Sequence, residues 1–151
     1  MKIFGGGRAR AVIQKPFEDW ELKPSGWVKD LNTELLSFSA FLVLTSAPGF
    51  NVGNMMILLA WSLGVRVITH SSSALSMTDM VHNKNALLAV NKEDFAALMS
   101  AIATNKKLRE RIALAVQKTF QRYYSSKEVA LIMLKQIESA ANEFYREKNW
   151  C

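Results

Sequence analysis

Cysteine is nearly missing from this chain of 151 residues; the one present is Cys151, the last residue. No disulfide can form within the chain and no cysteine cluster can hold a metal, so the expectation is a reducing, cytoplasmic setting with no metal. Long apolar runs are missing too. The longest, Met55 to Trp61, is followed closely by Gly64 and Arg66, far short of the roughly 20 residues that a membrane span needs. The opening Met1-Lys2-Ile3-Phe4-Gly5-Gly6-Gly7 has too short an apolar stretch for a secretory signal. A cytoplasmic chain, at most peripheral at a membrane surface, is expected. No internal repeat, low-complexity linker or Ser/His/Asp constellation stands out. Acid is scarce in one stretch. Between Asn105 and Lys127 lie Lys106, Lys107, Arg109, Arg111, Lys118, Arg122 and Lys127 against the single acid Glu110, an excess equal to the net charge of the whole chain, +6. Such a face is either simply solvated or a contact surface for anionic membrane or another acidic partner. Nucleic acid is not expected, because no binding motif accompanies the charge.

Half of the residues are hydrophobic and 21% are charged. That balance is globular, and the length suits one domain, residues 1–151, with a real core. The central stretch runs from Pro48 to Thr69. An apolar run, Phe41-Leu42-Val43-Leu44-Thr45-Ser46, precedes a loop containing Gly49, Asn51 and Gly53; an apolar helix closed by Gly64 and a short run Val65-Arg66-Val67-Ile68-Thr69 follow. This order reads as strand, loop, helix, strand. The loop then sits at the C-terminal end of the first strand, where open α/β sheets bind ligands. The first strand is apolar without alternation, as a parallel strand buried on both faces should be.

Around that centre, Lys2-Ile3-Phe4 reads as a short strand entering a Gly5-Gly6-Gly7 turn, without the glycine spacing of a dinucleotide fingerprint. A short helix broken at Pro16 follows, with Phe17 and Trp20 as packed anchors. Pro24-Ser25-Gly26 reads as a turn and Trp27-Val28 as a short strand. A helix over Lys29 to Leu36 is capped by Asp30 or Asn32. Beyond the centre, Ser71-Ser72-Ser73 reads as a loop, and Ala74 to Val81 as a short helix with Leu75 and Met80 inward. His82 to Asn85 is turn chemistry, and Ala86 to Val90 a last strand. Three helices end the chain. Asn91 caps the first, with Asp94 in its first turn, Asn105 begins the second, and Ser125 with Glu128 starts the third. The stripe of the third runs through Val129, Ile132, Met133, Ile137, Ala140 and Phe144. Strand and helix alternate and then helices follow, so the predicted fold is α/β: a doubly wound, mostly parallel sheet flanked by helices, with a helical C-terminal segment.

The order of these segments resembles the C-terminal, donor-binding half of a GT-B glycosyltransferase, especially the retaining glycosyltransferase family 4. The likeness rests on Ile3-Phe4-Gly5-Gly6-Gly7, on Gly26-Trp27-Val28, on the run from Gly49-Phe50 through Gly53-Asn54 to Ala60 and Gly64-Val65-Arg66-Val67-Ile68, and on Thr78 to Val90. It covers the chain from Met1 to about Glu138. The resemblance implies a Rossmann-like domain that binds a nucleotide sugar, such as a UDP- or GDP-sugar, and that needs an acceptor domain, here absent or supplied by a partner protein, to transfer the sugar. It places the donor diphosphate against Gly49, Phe50, Asn51, Val52, Gly53, Asn54 and Met55. It places base or ribose contacts at Trp27, Val28 and Leu59, and it implies no cofactor or metal beyond the donor.

Two carboxylates of the family signature are replaced. The first falls on Asn51 and the second on Leu59. Leucine cannot accept a hydrogen bond from a ribose hydroxyl, whereas asparagine keeps hydrogen-bonding capacity without charge. The family's proline stands as Arg66. Asp79 falls near a family acidic position. Backbone N–H groups at the start of the Asn54 helix suit an anion. Arg8 and Arg10 are candidate phosphate cations at the same sheet edge, and His70 is a candidate sugar contact. A degenerate, non-catalytic domain of the same kind is the first alternative. An unrelated flavodoxin- or receiver-like module is the second, and it lacks the phosphate loop or acidic pocket those folds carry after the first strand.

Overall fold

The structure is a computed structural model, and it describes residues 3–4, 24–26, 28–43 and 54–148. The chain divides into two compact units, Met1–Ser37 and Phe38–Cys151.

In the first unit β1 (Ile3–Phe4) pairs in parallel with β2 (Pro24–Gly26). The segment Pro24-Ser25-Gly26 is thus a strand, not the turn its composition suggests. Proline is tolerated at the first residue of a strand, and Gly26 at φ +73° ends the strand with a bend that a side chain would resist. The strand expected at Trp27-Val28 is not formed at Val28, which lies outside regular structure; Trp27, the Gly5 to Gly7 turn, Arg8, Arg10, Phe17 and Trp20 lie outside the described residues. Next comes α1 (Leu31–Leu36). Asp30 is its cap: the carboxylate accepts from the Thr33 amide at 3.1 Å and from the Thr33 hydroxyl at 2.6 Å. Those bonds hold the Asp30 carboxyl below its ordinary value.

The second unit carries a three-stranded parallel sheet of β3 (Phe41–Val43), β4 (Val67–His70) and β5 (Leu87–Ala89), in that order. Phe41 pairs with Val67 and Val43 with Thr69; Ile68 pairs with Leu87 and His70 with Ala89. β4 is the middle strand, and Val67, Ile68 and Thr69 are wholly buried. This parallel sheet with flanking helices and a long C-terminal helix is the α/β architecture predicted from the residues.

Between β3 and β4 runs α2 (Asn54–Ser62), which packs against β4 and against α4 (Lys106–Tyr123). Its end shows why Gly64 is there. The Gly64 amide donates to the Trp61 carbonyl at 3.0 Å and the Val65 amide to the Ala60 carbonyl at 2.8 Å, the paired bonds of a Schellman cap. Gly64 sits at φ +71°, and a Cβ there would stand 2.7 Å from the Gln117 side chain. Val65 enters the core directly behind it. Ile57, Ala60 and Trp61 from α2 and Ile112 and Val116 from α4 complete the buried centre with β4 and β5.

After β4 a 3-10 helix, Ser71–Leu75, replaces the expected loop, and no α-helix forms over 74–81. Leu75 points out at 81% exposure, while Met77 and Met80 are buried. Serines outcompete helix continuation here: the Ser76 hydroxyl donates back to the Ser73 carbonyl at 3.0 Å, ending the turn. The chain then wraps around Asn85, which is 2% exposed. Its Oδ1 accepts from the Val81 amide at 2.7 Å, and its Nδ2 donates to the Asp79 carbonyl at 2.7 Å and to Thr119 Oγ1 at 3.1 Å.

Helix α3 (Lys92–Thr104) follows β5. Asn91 and Asp94 cap it reciprocally: Asn91 Oδ1 accepts from the Asp94 amide at 2.8 Å, and Asp94 Oδ2 accepts from the Val90 amide at 3.1 Å. Asn105 ends α3 through its amide and caps α4 through Oδ1, which accepts from the Leu108 amide at 3.0 Å. Arg109 turns back to the end of α3 and donates to the Ile102 and Ala103 carbonyls. Arg66 donates from Nε to the Arg109 carbonyl at 3.1 Å, and burial, with Arg109 nearby, lowers its pKa. Helix α5 (Ser126–Lys148) packs on α4, with Ser125 as its cap. Its predicted stripe is exposed: Met133, Ile137 and Phe144 each show more than half their surface.

Candidate functional site at the C-terminal edge of the sheet

Three parallel strands end side by side at Val43, His70 and Ala89. A crossover helix between parallel neighbours runs antiparallel to them, so the N-terminus of α2 lies at this same edge. The first amides of α2 have no partner inside the helix, and its first turn holds no acid. Asn54 begins α2, as its place in the sequence predicts, and Met55 beside it is 75% exposed. Gly49, Phe50, Asn51, Val52 and Gly53, the rest of the predicted diphosphate loop, lie outside the described residues. Leu59 lies on α2 and is half-buried.

At the middle of the edge the hydroxyls form a buried chain. Thr69 Oγ1 donates to the Val43 carbonyl at 3.1 Å, tying the ends of β4 and β3. Its only proton is thereby used, so the Ser73 hydroxyl, 2.8 Å away, donates to Thr69. This pins the 3-10 helix to the sheet. The run Thr69-His70-Ser71-Ser72-Ser73 carried the signal in the sequence, although a row of serines reads first as a plain loop.

His70 ends β4, half-buried, and caps the 3-10 helix. Its Nδ1 accepts from the Ser72 amide at 3.2 Å and lies 2.8 Å from the Ser72 hydroxyl. A backbone amide can only donate, so Nδ1 carries no proton, and in the neutral ring the proton stands on Nε2. That N–H makes no bond among the described residues. His82 is used differently: its Nδ1 accepts from the Leu88 amide at 3.0 Å and holds the turn before β5.

Asp79, near the family's acidic position, accepts from the Tyr124 hydroxyl at 2.9 Å. Burial and that carboxylate push Tyr124 up to about 12. Tyr124 also packs edge-on to Trp61, with centroids 6.1 Å apart. Asp79 therefore holds the residue that ends α4, which in turn packs on α2. Val28 belongs to the first unit. Among the described residues no group of three or more acidic, histidine or cysteine side chains could hold a metal ion, and no helix is long and apolar enough to cross a membrane.

The edge thus offers backbone donors at a helix N-terminus and one imidazole N–H held in a fixed tautomer. Such donors suit a phosphate or hydroxyl-rich ligand.

No family model matches the chain, and no curated protein matches it. Among solved structures it is similar to the C-terminal domain of a glycosyl transferase group 1 family protein (LpcC) from Francisella tularensis, at 16% identity and a TM-score of 0.61. The match covers 80% of this chain and 66% of that one. At this identity the likeness shows a shared fold.

Proposed function

We propose that this chain is the donor-binding half of a glycosyltransferase of the GT-B kind, holding the diphosphate of a nucleotide sugar at the N-terminus of α2. The observation that carries the reading is the α2 N-terminus: it lies at the C-terminal edge of a parallel sheet with no acid in its first turn. The fold shared with a glycosyltransferase C-terminal domain supports it. In this reading His70 donates from Nε2 to the sugar or a phosphate oxygen, and Arg8 and Arg10 balance the diphosphate charge. Trp27, Val28 and Leu59 border the base and ribose. The acceptor half lies outside these residues, on the same or a separate polypeptide, because transfer in this fold takes place between two halves.

Leucine at position 59 forfeits the ribose hydrogen bond, so the affinity of the chain as it stands is weak. Titration calorimetry with UDP, GDP and their sugars tests this on the native chain and on Leu59→Glu. A restored charged hydrogen bond is worth about 1.5–3 kcal/mol, so binding should tighten by about tenfold or more. No heat of binding in either form would sink the donor reading and leave the second one, a non-catalytic domain kept for assembly. That second reading is favoured by the same two residues, Asn51 and Leu59.

A further inference from the structure

Helix α4 has two faces of different chemistry. Ile112 and Val116 point into the core and are fully buried. On the other side Lys107, Arg111, Leu114, Lys118 and Arg122 recur at intervals of four, three, four and four residues, which aligns them along one face of an α-helix.

The structure also sorts the six basic residues that lie on α4 itself. Arg109 is spent on the end of α3. Lys106 lies 3.7 Å from Glu110. Arg111 donates to the Asn83 carbonyl and side chain, yet its charge stays on the exposed face. Lys107, Lys118 and Arg122 meet no carboxylate among the described residues. Leu114, at the middle of the row, is 57% exposed, and the Arg122 guanidinium lies 5.1 Å from the ring centre of the exposed Tyr123.

We propose that this face of α4 docks on an anionic lipid bilayer. Charge complementarity selects an acidic partner. The exposed leucine within the basic row selects a lipid surface, since an aliphatic side chain gains by entering the acyl boundary and gains little on a charged polymer. Among the described residues the face carries no row of stacking aromatics, which single-stranded nucleic acid would use. Each basic residue near an anionic leaflet strengthens partitioning about fivefold, and salt screens the effect.

Sedimentation of the full chain with vesicles of phosphatidylcholine, alone or mixed with phosphatidylglycerol, tests the proposal. Binding to the mixed vesicles only, weakening as salt rises, is expected. Two variants with equal charge change separate position from net charge. Each Lys→Glu exchange removes two charges, so K107E/K118E and K29E/K92E both lower the net charge from +6 to +2. The first should lose binding by at least about twentyfold, on two residues at about fivefold each; the second should keep most of it. K107Q/K118Q repeats the test if the glutamates perturb folding. L114S should weaken vesicle binding and leave binding to single-stranded nucleic acid unchanged. The proposal is overturned if the native chain ignores anionic vesicles, if both double variants lose binding equally, or if nucleic acid binds more tightly than the vesicles.

Discussion

Asn85 shows how one buried amide can organise a loop. It satisfies the Val81 amide, the Asp79 carbonyl and the Thr119 hydroxyl at once. Removing a partner from a buried donor and acceptor costs more than the bonds themselves contribute, because both groups remain desolvated. Asn85→Ala should therefore lower the unfolding free energy by about 2–3 kcal/mol in urea titrations. Tyr124 carries the same loop through Asp79. Its pKa is raised to about 12 from an ordinary value of 10, so above pH 10 the folded form holds the phenolic proton that the unfolded form releases. The stability due to this bond is fully present below about pH 10 and is lost as pH rises toward 12. The difference in urea midpoint between the native chain and Tyr124→Phe should accordingly shrink over that window. Neither role was legible in the sequence. Asn85 reads as a turn residue, and its partner Thr119 and the Asp79–Tyr124 pair span 34 and 45 positions, which no local pattern records.

At the scale of elements, short-range chemistry is legible in the sequence and long-range competition is not. Asn91 and Ser125 cap the helices their sequence pattern assigns to them, and Asn105, which marks the start of α4, caps it, because a cap and its target amide lie within three residues. Asn105→Ala keeps the backbone amide that ends α3 and removes only the side-chain cap of α4, so it should cost about 1 kcal/mol, measured by chemical denaturation. The expected helix over 74–81 failed because the serines of the Thr69 to Ser76 segment prefer hydrogen bonds to the sheet end and to their own turn. The expected turn at Pro24 failed because pairing with Ile3 and Phe4 outweighs turn propensity. At the candidate site, the α2 start and His70 at the strand end were both legible. The Ser72 bond that fixes the His70 tautomer was not, since it depends on backbone geometry after β4.

Among the described residues of the larger unit, packing is concentrated where β4, β5, α2 and α4 meet, while the apolar stripe of α5 stays exposed. Stability should be distributed the same way. Ile112→Ala, which empties a fully buried site, should cost about 2–5 kcal/mol. Ile137→Ala, at a residue 62% exposed, should stay within about 0.5 kcal/mol. Guanidinium unfolding of the two variants in parallel distinguishes these outcomes. The cap at Gly64 adds a constraint of another sort. It welds the end of α2 to the start of β4, so α2 works as a ruler laid back along the sheet from a fixed zero. Nine residues at about 1.5 Å each set where the open amides stand relative to the strand ends. One residue more would carry them about 1.5 Å farther and turn them by about 100°. The depth and heading of any anion held there are thus set by the length of a helix, measured from a glycine at its far end.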